Sequence, residues 1–297
     1  MSYAITIDGP AGSGKSTLAK NLQKKLNGFV LVDTGAYYRW ATYLCLENGT
    51  DLKSRQKVYS QVKDKMELIF LPYPKGHRYY SAKILHNGEV INKKIHGAKV
   101  TQNVPIVAQY KKVRDLVKKK IISLSKTYNL VVAGRDIGTS VLPDAEIKIF
   151  LNPSIDSRAR RRYRDQVKQG RAISYGKMKE EMNVRDEHDR NREHGPLQKP
   201  LDAFEIDNTY LTTSQCLAET IKHIQKTKPQ ILKLEKVDWT KFEKDLKPAT
   251  GYFATSTQYS APKIVPTESM AELKKRLKAK YKSEQNGGGA ESFFRKH

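Results

Sequence analysis

Cysteine is scarce in this chain of 297 residues: Cys45 and Cys216 are its two, far apart and in no ligand-spaced cluster. That argues against a disulfide framework or a zinc site, and makes the reducing cytoplasm the expected location. No apolar run approaches the roughly 20 residues that a membrane-spanning helix needs, so no membrane contact is expected. The first residues pass straight into an apolar, strand-like run, without the basic and then apolar segments of a secretory leader. Acidic residues are also in short supply, with 31 Asp and Glu against 55 Lys and Arg, a formal net charge of +24. The excess leaves a solvated basic surface, a site for anionic nucleotides and a broad face for nucleic acid all open, and charge alone does not separate them. The length allows one large or two modest domains with a sizeable core, and 38% hydrophobic with 29% charged residues suits a soluble globular protein.

Glycine, by contrast, is concentrated at one telling place. Gly9-Pro10-Ala11-Gly12-Ser13-Gly14-Lys15-Ser16 fits GxxxxGK[ST] and continues into Thr17. The run 3–7 before it reads as a buried strand, and Leu18, Leu22 and Leu26 after it recur along one helix face. Backbone N–H groups can point at phosphate oxygens where no Cβ obstructs them, and the helix start turns its positive end to the same anion. In this reading Lys15 reaches the β- and γ-phosphates and the Ser16 hydroxyl holds Mg²⁺. A flexible glycine turn before an ordinary helix is the bland alternative.

Further polar segments follow strand-like runs. The run 29–32 leads into Asp33-Thr34-Gly35-Ala36-Tyr37-Tyr38-Arg39, predicted as a polar loop at the carboxyl edge of a sheet, where open α/β sheets bind ligands. Tyr38 and Arg39 could offer a hydroxyl and a cation to an acceptor phosphate there, or simply begin a helix with a surface arginine. Short strands at 66–71 and 83–86, with an Asn87-Gly88 hairpin signal, predict a small antiparallel insertion. A helix is predicted from about Pro105 to Ser125, with Val107, Tyr110, Val113 and Val117 as its apolar stripe and Arg114 among its lysines. The run 130–133 leads into Gly134-Arg135-Asp136-Ile137-Gly138-Thr139, another charged loop at a strand end, and 146–151 is the last clear central strand. Arg158, Arg161 and Arg162 share a helix face, as either a solvated surface or a lid over a transferring phosphate. Arg185, Asp189 and Arg192 fall at i, i+4 and i+7, a cation–anion–cation stripe that fits a phosphate and a ribose hydroxyl, or a self-satisfied surface network.

Gly9 to Thr17 together with Asp33 to Arg39 resemble the bacterial-type cytidylate kinases, the (d)CMP kinase family of P-loop nucleoside monophosphate kinases, whose pattern runs IDGPxGxGKxT and then LDTGAxYR. The resemblance continues through Val113-Arg114, the GRDxGT segment at 134–139, RDxxDxxR at 185–192, and Pro196-Leu197 with 202–207, and so covers about residues 3–225. It implies a three-layer α/β sandwich with a mostly parallel sheet, a nucleotide-monophosphate-binding insert at about 65–96, and an arginine-rich lid at about 158–174 with Gln169-Gly170-Arg171 near its tip. It also implies MgATP as donor on Gly9 to Thr17, with Ser16 on the metal, and CMP or dCMP as acceptor on Thr34, Tyr38, Arg39, Arg114, Arg135, Asp136, Arg185, Asp189 and Arg192. Lys15, the lid residues Arg158, Arg161 and Arg162, and Asp136 form the expected catalytic group. Asp136 is expected to orient or neutralise arginines and to accept from the base or sugar, since a phosphate monoester with a second pKa of about 6 needs no general base. An internal Arg–Asp bridge is the plain alternative for that segment. The chain departs from the pattern at Pro105, where the family has a serine near the base, and at Lys111, where it has a proline. Pro105 has no side-chain hydrogen bond to give.

The expected division is a kinase domain at 1–225 and a basic extension at 226–297. The extension reads as an irregular linker, then a helix opened by Ser269 and Glu272, then Gly287-Gly288-Gly289. The chain is expected to be a monomer, with nucleic acid left open for the basic extension alone. A related P-loop kinase acting on UMP or another small acceptor, and a nucleic-acid-binding protein that uses its P-loop as a switch, are the alternative functions.

Overall fold

The computed structural model describes residues 2–65, 67–72, 80–86, 89–168 and 174–234. The first elements are β1 (Ala4–Asp8), α1 (Lys15–Lys25), β2 (Phe29–Asp33), α2 (Thr34–Glu47) and α3 (Arg55–Val62). Next come β3 (Glu67–Pro72), β4 (Tyr80–His86), β5 (Glu89–Val90), α4 (Ala98–Ala108) and α5 (Lys111–Ser125). Then follow β6 (Asn129–Ala133), β7 (Ile147–Leu151), α6 (Ile155–Lys168), α7 (Tyr175–Asn191), β8 (Phe204–Ile206) and α8 (Thr213–Thr227). The strands form one sheet in the order β3-β4-β2-β6-β1-β7-β8, with β5 beside β4. Pairing is parallel from β4 to β8 and antiparallel in β3–β4 and β4–β5. This is the expected α/β sandwich with a small antiparallel addition; the Asn87-Gly88 turn itself lies outside the described residues.

Strand periodicity explains the layers. Successive side chains of a strand face opposite sides, so Val131 and Ala133 join one core with Leu18, Ala19 and Leu22 of α1 and Cys216 and Ile224 of α8. Leu130 and Val132 join the other, with Tyr37 of α2 and Val117, Ile121 and Leu124 of α5. β1 lies mid-sheet and is buried at all its positions, Thr6 and Asp8 included.

Two sequence expectations are corrected. Residues 105–125 are not one helix: α4 ends at Ala108, Tyr110 is extended (φ −74°, ψ 118°), and α5 begins at Lys111. The break is held by tertiary contact, since the Tyr110 hydroxyl donates to Leu52 O at 2.5 Å. Pro105 lies inside α4 rather than at a helix start, where its missing N–H leaves the Thr101 carbonyl without its partner one turn on. Of the two readings of residues 34–39, the loop gives way to the helix start: they are the opening turns of α2, capped by Asp33, whose Oδ1 accepts from Gly35 N–H at 3.0 Å.

Beyond α8, where a linker was expected, a single 3₁₀ turn (Pro229–Lys233) buries Ile231 in the α1–α8 core. The expected helix near 270 and the glycine triplet at 287–289 lie outside the described residues, as does the lid tip at 169–173.

Candidate active site

Register gathers the site. Ile7 pairs with both Ala133 and Ile149, Asp33 also pairs with Ala133, and Ile149 pairs with Phe204. β2, β6, β1, β7 and β8 therefore end close to one line, and the segments beginning at 9, 34, 134, 152 and 207 all leave the sheet at its carboxyl edge.

The glycine loop is shaped by close approach. Gly9 has φ +146°, and a Cβ there would lie 2.3 Å from Leu151 O, so a side chain is excluded by neighbouring backbone. Gly14, at φ +95°, takes the left-handed conformation that opens α1. Lys15 is buried, donating from Nζ to Pro10 O at 2.6 Å and to Ser13 Oγ at 3.2 Å. Burial first, and then the Arg135 cation, push its pKa well below the ordinary lysine value. Ser16 Oγ donates to Asp33 Oδ2 at 2.7 Å, so the carboxylate that caps α2 also faces the end of the loop. The buried Asp8 accepts from Ile137 N–H at 3.0 Å and Gly138 N–H at 2.8 Å, which pins the 134–139 turn to the strand that feeds the glycine loop. Burial raises its pKa to about 6, opposed by those two hydrogen bonds.

Opposite the loop lies a lattice of arginines and carboxylates. Arg114 donates to Asp136 Oδ2 at 2.5 Å and to Ala108 O at 3.1 Å. Arg192 reaches Asp136 Oδ1 and Asp189 Oδ1, both at 3.4 Å, and donates through Nε to Gly195 O at 2.5 Å. Arg135 Nε donates to Asp189 Oδ2 at 2.8 Å. Asp136 thus neutralises arginines, as expected, but through Arg114 and Arg192 rather than its neighbour Arg135. Tyr38 lies under the Arg114 guanidinium at 5.5 Å, and burial lifts its phenol to about 12. Arg39 donates to Thr101 Oγ1 at 2.8 Å, and the Thr34 hydroxyl donates to Ala133 O at 2.9 Å. The stripe at 185–192 is helical through Asn191 only, and Arg192 is the extended residue that caps α7.

Arg185 differs from the rest. Among the described residues no hydrogen bond or ion pair engages its guanidinium, although it is half-buried. Burial, then Arg135, and further Arg162 and Arg39, lower its pKa to about 10, while Asp189 opposes them. Arg39 is lowered in the same sense by burial and by Arg162. Lys15, Arg39, Arg135, Arg162 and Arg185 therefore crowd one another, and the carboxylates Asp8, Asp33 and Asp189 do not match them in number.

The arginine face expected over the transferring phosphate divides. Arg158 is a correction: at 4% exposure it pairs with Asp186 and donates to Ala11 O at 3.1 Å and Pro153 O at 3.2 Å, so its donors are occupied by the protein. A residue so close to the sheet edge is drawn under the glycine loop instead of out over it. Arg161 donates to Asn208 O at 2.6 Å, and Asn208 Nδ2 donates in turn to Ser13 O at 2.9 Å. Arg162 alone of the three joins the crowded cations.

Sequence reasoning missed Asp8, Asp186, Gly195 and Asn208. Asp8 had a signal, a carboxylate ending the Ile-rich strand that feeds the glycine loop, and so did Gly195, which precedes Pro196 in a turn dipeptide. Asp186 was hidden inside the stripe motif, on a different face from Arg185, and nothing local marks Asn208.

The family model for cytidylate kinase matches residues 5–226. A cytidylate kinase of Bacillus licheniformis is 41% identical over 226 residues, 76% of this chain and 97% of that protein. Those of Geobacillus thermodenitrificans and Acholeplasma laidlawii are 40% and 37% identical, covering 73% and 76% of this chain and 94% and 96% of theirs. Identity at this level across nearly the whole of each relative places the chain in the cytidylate kinase family.

Proposed function

We propose that the protein transfers the γ-phosphoryl group of MgATP to CMP or dCMP, releasing ADP and CDP or dCDP. The crowding of Lys15, Arg39, Arg135, Arg162 and Arg185 carries this reading. Cations held together against burial and mutual repulsion suit a ligand of high negative charge, such as two phosphorylated nucleotides meeting end to end. The loop amides and Lys15 would hold the donor's phosphates. Ser16 Oγ and Asp33 Oδ2, 2.7 Å apart beside Lys15, are hard oxygen ligands that fit a magnesium ion keeping part of its water shell. Bound there, such an ion would offset charge on the donor's β- and γ-phosphates.

Arg185, Arg135 and Arg39 would hold the acceptor phosphate, with Arg114, Asp136, Asp189, Arg192, Tyr38 and Thr34 framing the nucleoside. An oxygen of the dianionic acceptor phosphate bonds to the γ-phosphorus as the bond to the ADP oxygen breaks, so positioning and charge compensation supply the catalysis. Thr101, Pro105 and Ala108 fall on one face of α4, between the contacts to Arg39 and Arg114. Pro105 has no hydrogen bond to offer there, which supports UMP as a weaker acceptor.

A panel of nucleoside monophosphates with ATP, followed by ADP release, tests the reading. CMP and dCMP should turn over fastest, UMP more slowly, and AMP and GMP not above background. ADP release indifferent to any monophosphate would overturn it.

Gly195→Ala should damage the acceptor side selectively. Gly195 has φ +59°, and a Cβ there would lie 2.1 Å from Asp136 Oδ2 and 2.3 Å from Arg114 Nη2. The Arg114–Asp136 pair must then part, leaving buried charge uncompensated. In steady-state kinetics kcat/KM for CMP should fall about a hundredfold, with KM for ATP little changed.

A further inference from the structure

We infer that the buried pair Arg158–Asp186 is a positioning device that holds the Ala11–Gly12 turn of the glycine loop in its nucleotide-binding shape. Asp186 on α7 is 1% exposed and Arg158 on α6 is 4% exposed. Their ion pair brackets a single residue of the loop: Asp186 Oδ1 accepts from Ala11 N–H at 3.2 Å, and Arg158 Nη1 donates to Ala11 O at 3.1 Å. Arg158 Nε is tied to Pro153 O at 3.2 Å, just past β7, so the bracket is anchored to the sheet as well as to both helices. Packing reinforces it, since a Cβ on Gly12 would lie 3.0 Å from Met182 Cε and 3.5 Å from Arg158 Cβ.

Such a loop does not support its own shape. Its glycines free the amides to face phosphate but leave the chain able to take many other conformations. A rigid bracket on both polar groups of Ala11 removes that freedom before nucleotide arrives. Asp186 also follows Arg185 directly on α7, and the two side chains diverge, one to the loop and one to the crowded cations.

This inference rests on the kinase reading, and its tests separate the two. Asp186→Asn keeps an oxygen for Ala11 N–H but removes the charge that holds Arg158. The double variant Arg158→Met with Asp186→Leu replaces the buried pair by apolar side chains, a change folded proteins commonly accept. Both should lower kcat about a hundredfold and raise KM for ATP about tenfold, with KM for CMP nearly unchanged and the double variant as thermally stable as the parent. A folded double variant with the parent's kcat and KM for ATP would overturn the inference. Amide exchange in the unmodified, nucleotide-free chain gives a second reading that needs no variant and no activity. Ala11 N–H should exchange at least about a hundredfold more slowly than an open amide, and exchange at the open rate would overturn the bracket even in an active enzyme.

Discussion

Replacing Lys15 by alanine should lower turnover of ATP with CMP by about a thousandfold or more, while the protein keeps its fold. The ammonium is buried at the base of the glycine loop, 2.6 Å from Pro10 O and 3.2 Å from Ser13 Oγ, so its proposed task is to meet phosphate rather than to pair with a carboxylate. Removing it costs the loop two hydrogen bonds, on the order of 1 kcal/mol each. It also relieves a buried cation that burial and Arg135 already disfavour. These effects oppose one another, which is why thermal stability should change little although the proposed transition state loses a fixed charge. Turnover within about tenfold of the parent, in a variant with unchanged melting, would remove Lys15 from the mechanism.

Arg185→Ala should be nearly as damaging, but on the other substrate. Arg185 is a half-buried guanidinium with no hydrogen bond or ion pair among the described residues, and the acceptor phosphate is its proposed partner. Loss of a charge-assisted contact of this kind, worth roughly 2–5 kcal/mol, should cut kcat/KM for CMP by a factor of about thirty to several thousand. KM for ATP should move far less, and equal losses for both substrates would refute the assignment. Stability should move the opposite way. Folding disfavours the charged form of Arg185, through burial and the neighbouring Arg135, Arg162 and Arg39, and its pKa is therefore lowered rather than raised. The guanidinium remains charged at neutral pH, so its removal relieves repulsion, and the melting temperature of Arg185→Ala should rise. A fall would mean that the residue is a structural ion-pair partner after all.

Much of this architecture could be read along the chain because it is local. A buried strand, a glycine loop and an amphipathic helix occupy consecutive residues, and the backbone geometry that faces amides to phosphate depends on those residues alone. The strands 29–33, 129–133 and 147–151 announced themselves by runs rich in Val, Ile, Leu and Phe, broken internally only at Lys148, as strands buried on both faces do. The helix boundary at Tyr110 escaped notice because both α4 and α5 carry the same apolar spacing, while the contact that separates them, to Leu52 O, comes from a distant part of the chain. Pro105 misled for a related reason: its preference for a helix's first turn is a local rule, and packing of α4 against α2 overrides it.

The sequence by itself determined that a phosphate site and a set of arginines exist, and which strand ends present them. Only the tertiary structure decided which arginines are already engaged. Arg114 meets Asp136, Arg135 meets Asp189 and Arg158 meets Asp186, partners separated by 22, 54 and 28 residues. Helical and strand periodicities say which side chains share a face, but they carry no information about charges brought together from different elements. Arg158 and Arg185 looked alike in the sequence, each at the head of an arginine motif on a helix. One is neutralised beneath the glycine loop and the other is left facing its own kind, because a buried charge is satisfied or not by what the fold places within about 4 Å of it.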